Sequence, residues 1–153
     1  MSVQLIPYRT LAPLRLRQFL PPDAAVVEHG GFQWMGGVWL YEGIAFTWFG
    51  RLEDTPDVTA GFELNFEELD GKSLHRILNA VALPVRSGMN ASELESVLGK
   101  RYTTQIFVED RQTHIFRLGD PDLYEVSCTI HADDGLMHVS LIRNDTRRRL
   151  AVA

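Results

Sequence analysis

The sequence predicts an α+β protein made of two tandem helix-plus-four-strand antiparallel repeats, with the helices on one face of the sheet. Three observations carry that expectation. The stretch from Leu83 to Gly99, which leads to a hairpin signal at Asp134-Gly135, is echoed earlier by Leu14-Arg15-Leu16, Pro21-Pro22-Asp23 and Gly30, leading to Asp70-Gly71. The echo keeps near-constant spacing: Gly30 to Gly99 is about 69 residues, Phe46 to Phe116 about 70 and Gly71 to Gly135 about 64, the mark of an internal repeat. After each helix signal the hydrophobic period changes to two, as half-buried strands require. The expected units run over about 14–78 and 83–143 inside a single domain, 1–153.

Taken in order, Pro22, Asp23, Val26, Val27 and Gly30 suggest a first, poorly specified helix. Strands are expected from Phe32-Gln33-Trp34 toward Tyr41, then over Ile44–Phe49, Thr59–Glu67 and Ser73–Leu78. Leu74, Ile77, Leu78 and Val81 fit a helical stripe at least as well, and the strand is preferred because the second unit has one there. The second helix is better defined. Asn90 can cap it, Glu93 completes a capping box, Met89 can staple onto Leu94, and Gly99 supplies the stop for a helix over Ala91–Leu98. Strands follow over Thr103–Glu109, Thr113–Leu118, Leu123–His131 and Leu136–Arg143.

A two-residue turn at Asp134-Gly135 would set Ile130 opposite Val139, Cys128 opposite Leu141 and His131 opposite His138. Tyr124, Val126, Cys128, Ile130, Met137, Val139 and Leu141 then share an apolar face, with Ser127, Thr129, His131, His138 and Ser140 on the other. Around a Glu42-Gly43 turn, Trp39, Tyr41, Ile44, Phe46 and Trp48 share one face while Val38, Leu40, Ala45 and Phe49 share the other. Both faces of that hairpin are apolar. It is either sandwiched or presents aromatic surface to a partner.

Composition bounds the function. The chain has 153 residues, 45% apolar and 23% charged, which is ordinary for a globular domain. No apolar run approaches the roughly 18 residues of a membrane helix, and the start lacks the form of an export signal, so a cytoplasmic protein with no membrane partner is expected. A net charge of −5 argues against general nucleic-acid binding, and Arg143, Arg147, Arg148 and Arg149 read as a solvated tail. The single cysteine, Cys128, cannot form an internal disulfide and reads as a buried thiol.

No catalytic residue is assigned. Ser-His-Asp or Cys-His sets would be arbitrary choices among common residues. His131 and His138, beside Asp133 and Asp134, are suitable metal ligands, but a site needs three or four convergent donors and two are legible, so neither metal nor cofactor is expected. Glu63, Glu67, Glu68 and Asp70 alternate with apolar residues and read as a solvated strand face. The expected binding surface combines Trp34, Trp39, Tyr41, Trp48 and Phe49 as anchors with Thr129, His131 and His138 as a polar rim.

The run Arg86-Ser87-Gly88-Met89-Asn90-Ala91-Ser92-Glu93-Leu94-Glu95-Ser96-Val97-Leu98-Gly99, followed by strands and an Asp-Gly hairpin, resembles the repeating unit of beta-lactamase-inhibitor-like proteins. It is similar also to the small lipoprotein subunit of the bacterial outer-membrane assembly machine, which carries one copy. The resemblance implies helices on one side of a long curved sheet and an open face that grips another protein. This chain shows no lipid-attachment cysteine and no cysteine pair, so the resemblance extends to a mode of action and not to a periplasmic target. The expected function is a non-enzymatic protein-binding module of the immunity or inhibitor kind. A structural module that self-associates as a homodimer is the alternative, followed by a small-ligand-binding protein or enzyme.

Overall fold

A computed structural model of the chain describes residues 5–30, 35–49, 58–118 and 124–145. Its centre is one antiparallel sheet of eight strands: β1 (Val27–Gly30), β2 (Met35–Tyr41), β3 (Ile44–Phe49), β4 (Val58–Asn65), β5 (Thr103–Val108), β6 (Arg111–Leu118), β7 (Tyr124–His131) and β8 (Gly135–Arg143). The spatial order is β1-β2-β3-β4-β8-β7-β6-β5. Two four-stranded meanders therefore meet along a seam between β4 and β8, with Phe62 opposite Leu141 and Leu64 opposite Val139. The seam is as apolar as the rest of the core: these four side chains are all 2% exposed or less. Gly61 lies opposite Ile142, and a Cβ there would come within 2.3 Å of the Leu141 carbonyl oxygen, so the close approach of the two strands requires glycine.

The helices are α1 (Tyr8–Leu11), α2 (Gly71–Val81) and α3 (Ala91–Leu98), with a 3-10 turn at Leu16–Phe19. All of them feed one hydrophobic cluster: Leu11, Leu16 and Phe19 from the N-terminal segment, Ile77 and Leu78 from α2, and Leu94 and Leu98 from α3. These meet Phe46, Phe62, Phe116, Val126, Cys128 and Leu141 of the sheet. Burying this much apolar surface on one side is what holds helices to sheet.

The two-repeat architecture expected from the sequence is overturned. The segment around Pro22–Gly30 forms no helix; it turns and then enters edge strand β1, whose four residues are all exposed. Val26 and Val27 are β-branched and the segment has no 3.6-residue apolar stripe, so an extended edge is the better solution. Conversely Ser73–Leu78, expected as a strand, lies within α2. The Asp70 carboxylate accepts from the Ser73 amide at 2.8 Å, the stripe Ile77, Leu78 and Val81 turns inward, and Ala82 ends the helix in the left-handed region at φ 59°. The halves thus differ in their helices: α2 packs against the N-terminal 3-10 turn, with Ser73 and Arg76 donating to the Phe19 carbonyl, while α3 packs against β6.

The β7–β8 hairpin also departs from the expected register. Thr129 faces His138, Cys128 faces Val139 and Val126 faces Leu141, with a shift between Thr129 and Ile130. The turn is longer because Gly135, at φ 73°, takes the left-handed position that ends a bulged loop. The shift is two residues for most pairs, so side chains keep their faces. Met137 is the exception, turned by the bulge into a cleft with His138. Strands β3, β5, β6, β7 and β8 otherwise form within two residues of the expected bounds.

Candidate functional site

The helix-free face of the sheet is defined by cross-strand rows. One row crosses all eight strands: Val27, Leu40, Ala45, Glu63, Ser140, Ser127, Ile115 and Thr103, each paired with the next. A second runs through Val38, Thr47, Gly61, Ile142, Glu125 and Arg117. A third holds Asn65, His138, Thr129, Thr113 and Gln105. Within it the hydroxyls of Thr113 and Thr129 are 3.0 Å apart. None of these side chains belongs to the main hydrophobic cluster. The surface mixes short side chains (Ala45, Thr47, Ser127, Ser140) with the exposed carboxylate of Glu63 at the centre and a Glu125–Arg117 ion pair at 3.9 Å toward one side.

Where the third row meets the β7–β8 turn, a cleft of about 160 Å³ is lined by Asn65, Glu67, Arg111, Thr129, His131, Met137 and His138. Thr129, His131 and His138, expected as a polar rim, are thus brought together. Glu67 and Asp134 join them: one donor atom each from Glu67, His131 and Asp134 lie within 4.8 Å of one another. Sequence reasoning placed Asp134 in the turn but left Glu67 on a solvated strand. Nothing local could have joined them, because Glu67 follows β4 and reaches His131 only through the β4–β8 seam.

The aromatic hairpin is arranged differently. Trp48 is 6% exposed and stacks on Trp39 with ring centroids 4.9 Å apart. Trp39 and Tyr41 are half-buried against the main core, and Phe46 stacks on Phe62 at 5.5 Å. These rings lie on the helix-covered side, and packing is their evident role. Trp34 lies outside the described residues, and of Phe49 only the backbone, in β3, is described. Beside Trp39 a second cavity, of about 330 Å³, is lined by Arg15, Leu16, Arg17 and Val26.

Two ionisable groups inside the core, His114 and Arg143, were not legible as such, whereas Cys128 is buried as its strand alternation implies. His114 is 2% exposed. Its Nδ1 accepts from the Arg101 guanidinium at 2.8 Å, which leaves the proton on Nε2, and burial followed by the charge of Arg101 lowers its pKa. Arg143, read as part of a solvated tail, is instead 6% exposed. It donates to both Asp145 carboxylate oxygens, at 2.6 and 3.2 Å, and to the Thr59 carbonyl at 3.2 Å, while its guanidinium lies 4.8 Å from the Tyr8 ring centre. Arg147, Arg148 and Arg149 lie outside the described residues. Burial alone raises the Cys128 thiol to about 12, so it stays protonated and unreactive at neutral pH.

No family model and no curated protein matches the chain. Among solved structures, a DUF4309 family protein, YjgB, from Bacillus subtilis is similar at 16% identity over 75% of this chain and 68% of that one, with a TM-score of 0.40. That likeness is too distant to carry a functional argument. Among the described residues no helix is long and apolar enough to cross a membrane.

Proposed function

We propose that this chain is a non-enzymatic protein-binding module, of the immunity or inhibitor kind, whose contact surface is the helix-free face of the sheet. The observation that carries this reading is the unbroken row from Val27 to Thr103 across all eight strands, in which Ala45, Ser140 and Ser127 surround one exposed carboxylate, Glu63. Short side chains there let a partner approach the sheet closely around Glu63, and Leu40 in the row with Val38 and Ile142 beside it supplies apolar area. With strands about 4.8 Å apart and successive rows about 6.8 Å apart, the three rows present on the order of 600 Å², against the roughly 800 Å² that one partner contributes to a stable interface. The likeness of Arg86–Gly99 to the inhibitor repeat motivates the same mode of action. A cytoplasmic setting suits the lone, unpaired Cys128.

A second reading, self-association, is favoured by the edge strand β5. Ile106 is 64% exposed and Val108 52%, with Tyr102 just before the strand at 60%, and an edge of this kind is a template for strand addition. One set of variants separates the two. Ser140→Arg should abolish recovery of a partner from cells of origin while leaving the fold intact, whereas Ser96→Arg on the far side of α3 should not. Equal recovery by wild type and Ser140→Arg would sink the sheet-face reading. A dimer in sedimentation that Ile106→Lys dissociates would favour the edge.

A further inference from the structure

We propose that Glu67, His131 and Asp134 form a binding site for a divalent first-row transition-metal ion, with Zn²⁺ as its representative. Their donor atoms lie within 4.8 Å of one another, whereas two ligands held about 2.1 Å from a tetrahedral Zn²⁺ stand roughly 3.4 Å apart. Small side-chain rotations close that difference, and Glu67 and Asp134 are exposed and free to make them. His138 lines the same cleft and offers a second imidazole as a fourth donor.

The donors come from two segments that the fold brings together, the turn after β4 and the β7–β8 hairpin. Glu67 follows β4, and its amide donates to the Asn65 side chain at 3.0 Å. His131 ends β7, and the next amide, of Ala132, donates to the Asp110 carbonyl at 2.9 Å. Asp134 precedes Gly135, whose backbone lies so close to Gly88 that a Cβ would come within 2.3 Å of the Gly88 oxygen. Leu136 then donates to Met89 at 2.9 Å and accepts from Gly88 at 3.0 Å. The turn is held from beneath, so the side chains converge without ordering new backbone.

The donor set selects the class of ion. Imidazole nitrogen with carboxylate oxygen suits Zn²⁺ and its first-row neighbours, while Ca²⁺ requires six to eight oxygen ligands that this shallow cleft does not supply. Arg111 also lines the cleft and opposes a cation. Its guanidinium lies 3.7 Å from the Asp110 carboxylate, which offsets its charge and leaves the Glu67 and Asp134 carboxylates as the balance facing the ion.

The test uses the full chain without an affinity tag, stripped by a chelator and titrated calorimetrically with Zn²⁺. One equivalent should bind in the presence of excess Mg²⁺ and Ca²⁺, and Co²⁺ in its place should give visible absorption of the kind a low-symmetry nitrogen and oxygen site produces. Asp134→Asn and Glu67→Gln, both at exposed positions, should keep the native circular dichroism and lose stoichiometric binding. His75→Gln, on the exposed side of α2, should bind as wild type does. Absence of stoichiometric Zn²⁺ uptake by the wild-type chain would overturn the proposal. So would binding that survives both carboxylate substitutions, or binding that His75→Gln abolishes.

Discussion

His114 is charged in water near neutral pH only in part, and in this fold the balance moves further toward the neutral form. Burial and the neighbouring Arg101 lower its pKa from the ordinary 6.5, and Nδ1 accepts from Arg101 and Thr104. The sign of the linkage follows. The unfolded chain takes up a proton as pH falls through 6.5 while the folded chain resists it, so the stabilisation is present above that value and is lost below it. Between about pH 7 and pH 5 the melting temperature of the wild type should fall more steeply than that of His114→Gln, which retains an acceptor for Arg101. Parallel profiles would show that another group governs the acid limb. At this scale the sequence was informative where an environment is set locally and silent where it is set by distant chain. Cys128 reads as buried from strand alternation alone, whereas Arg143 is buried only because Thr59, Tyr8 and Asp145 converge on it.

Elements with strong local signals form as expected. Asn90 accepts from the Glu93 amide at 2.8 Å, and Glu93 accepts from the Asn90 amide at 3.3 Å, completing the capping box. Met89 and Leu94 are both buried at the start of α3. Replacing Asn90 with Ala should therefore cost about 1 kcal/mol of stability, read as a lower denaturation midpoint with unchanged slope; an unmoved midpoint would remove the cap from the fold's energetics. Where a short apolar run fitted two periods, the choice went to the wrong one. Leu74, Ile77, Leu78 and Val81 carry the helical spacing of α2, and Asp70, expected in a hairpin turn, caps that helix instead. At Pro22–Gly30 the Pro-Asp start and terminal Gly suggest a helix, but the β-branched Val26 and Val27 lead into edge strand β1. Hairpin register is legible to parity but not to the pair, because Gly135 can end either a tight turn or a bulged one.

The whole molecule depends on a pairing that no local pattern announces. Joining β4 to β8 turns two meanders into one sheet, carries the helix-free rows across all eight strands, and brings Glu67 beside His131 and Asp134. The polar rim of Thr129, His131 and His138 was legible because all three lie on one hairpin. Asp134 was legible beside them in the turn, but Glu67 was not, because residue 67 meets that hairpin only across the seam. Both the proposed contact surface and the proposed metal site therefore rest on β4 and β8 being central strands and not two adjacent edges. Native-state hydrogen exchange reads this directly, since central strands open only with the cooperative unit they belong to, while edges exchange by local fraying. The amides of Gly61–Asn65 and His138–Ile142 should be protected to the same degree as those of Val126–Thr129 in β7, and far more than those of β1 and β5. Rapid exchange along both β4 and β8 would contradict the single sheet.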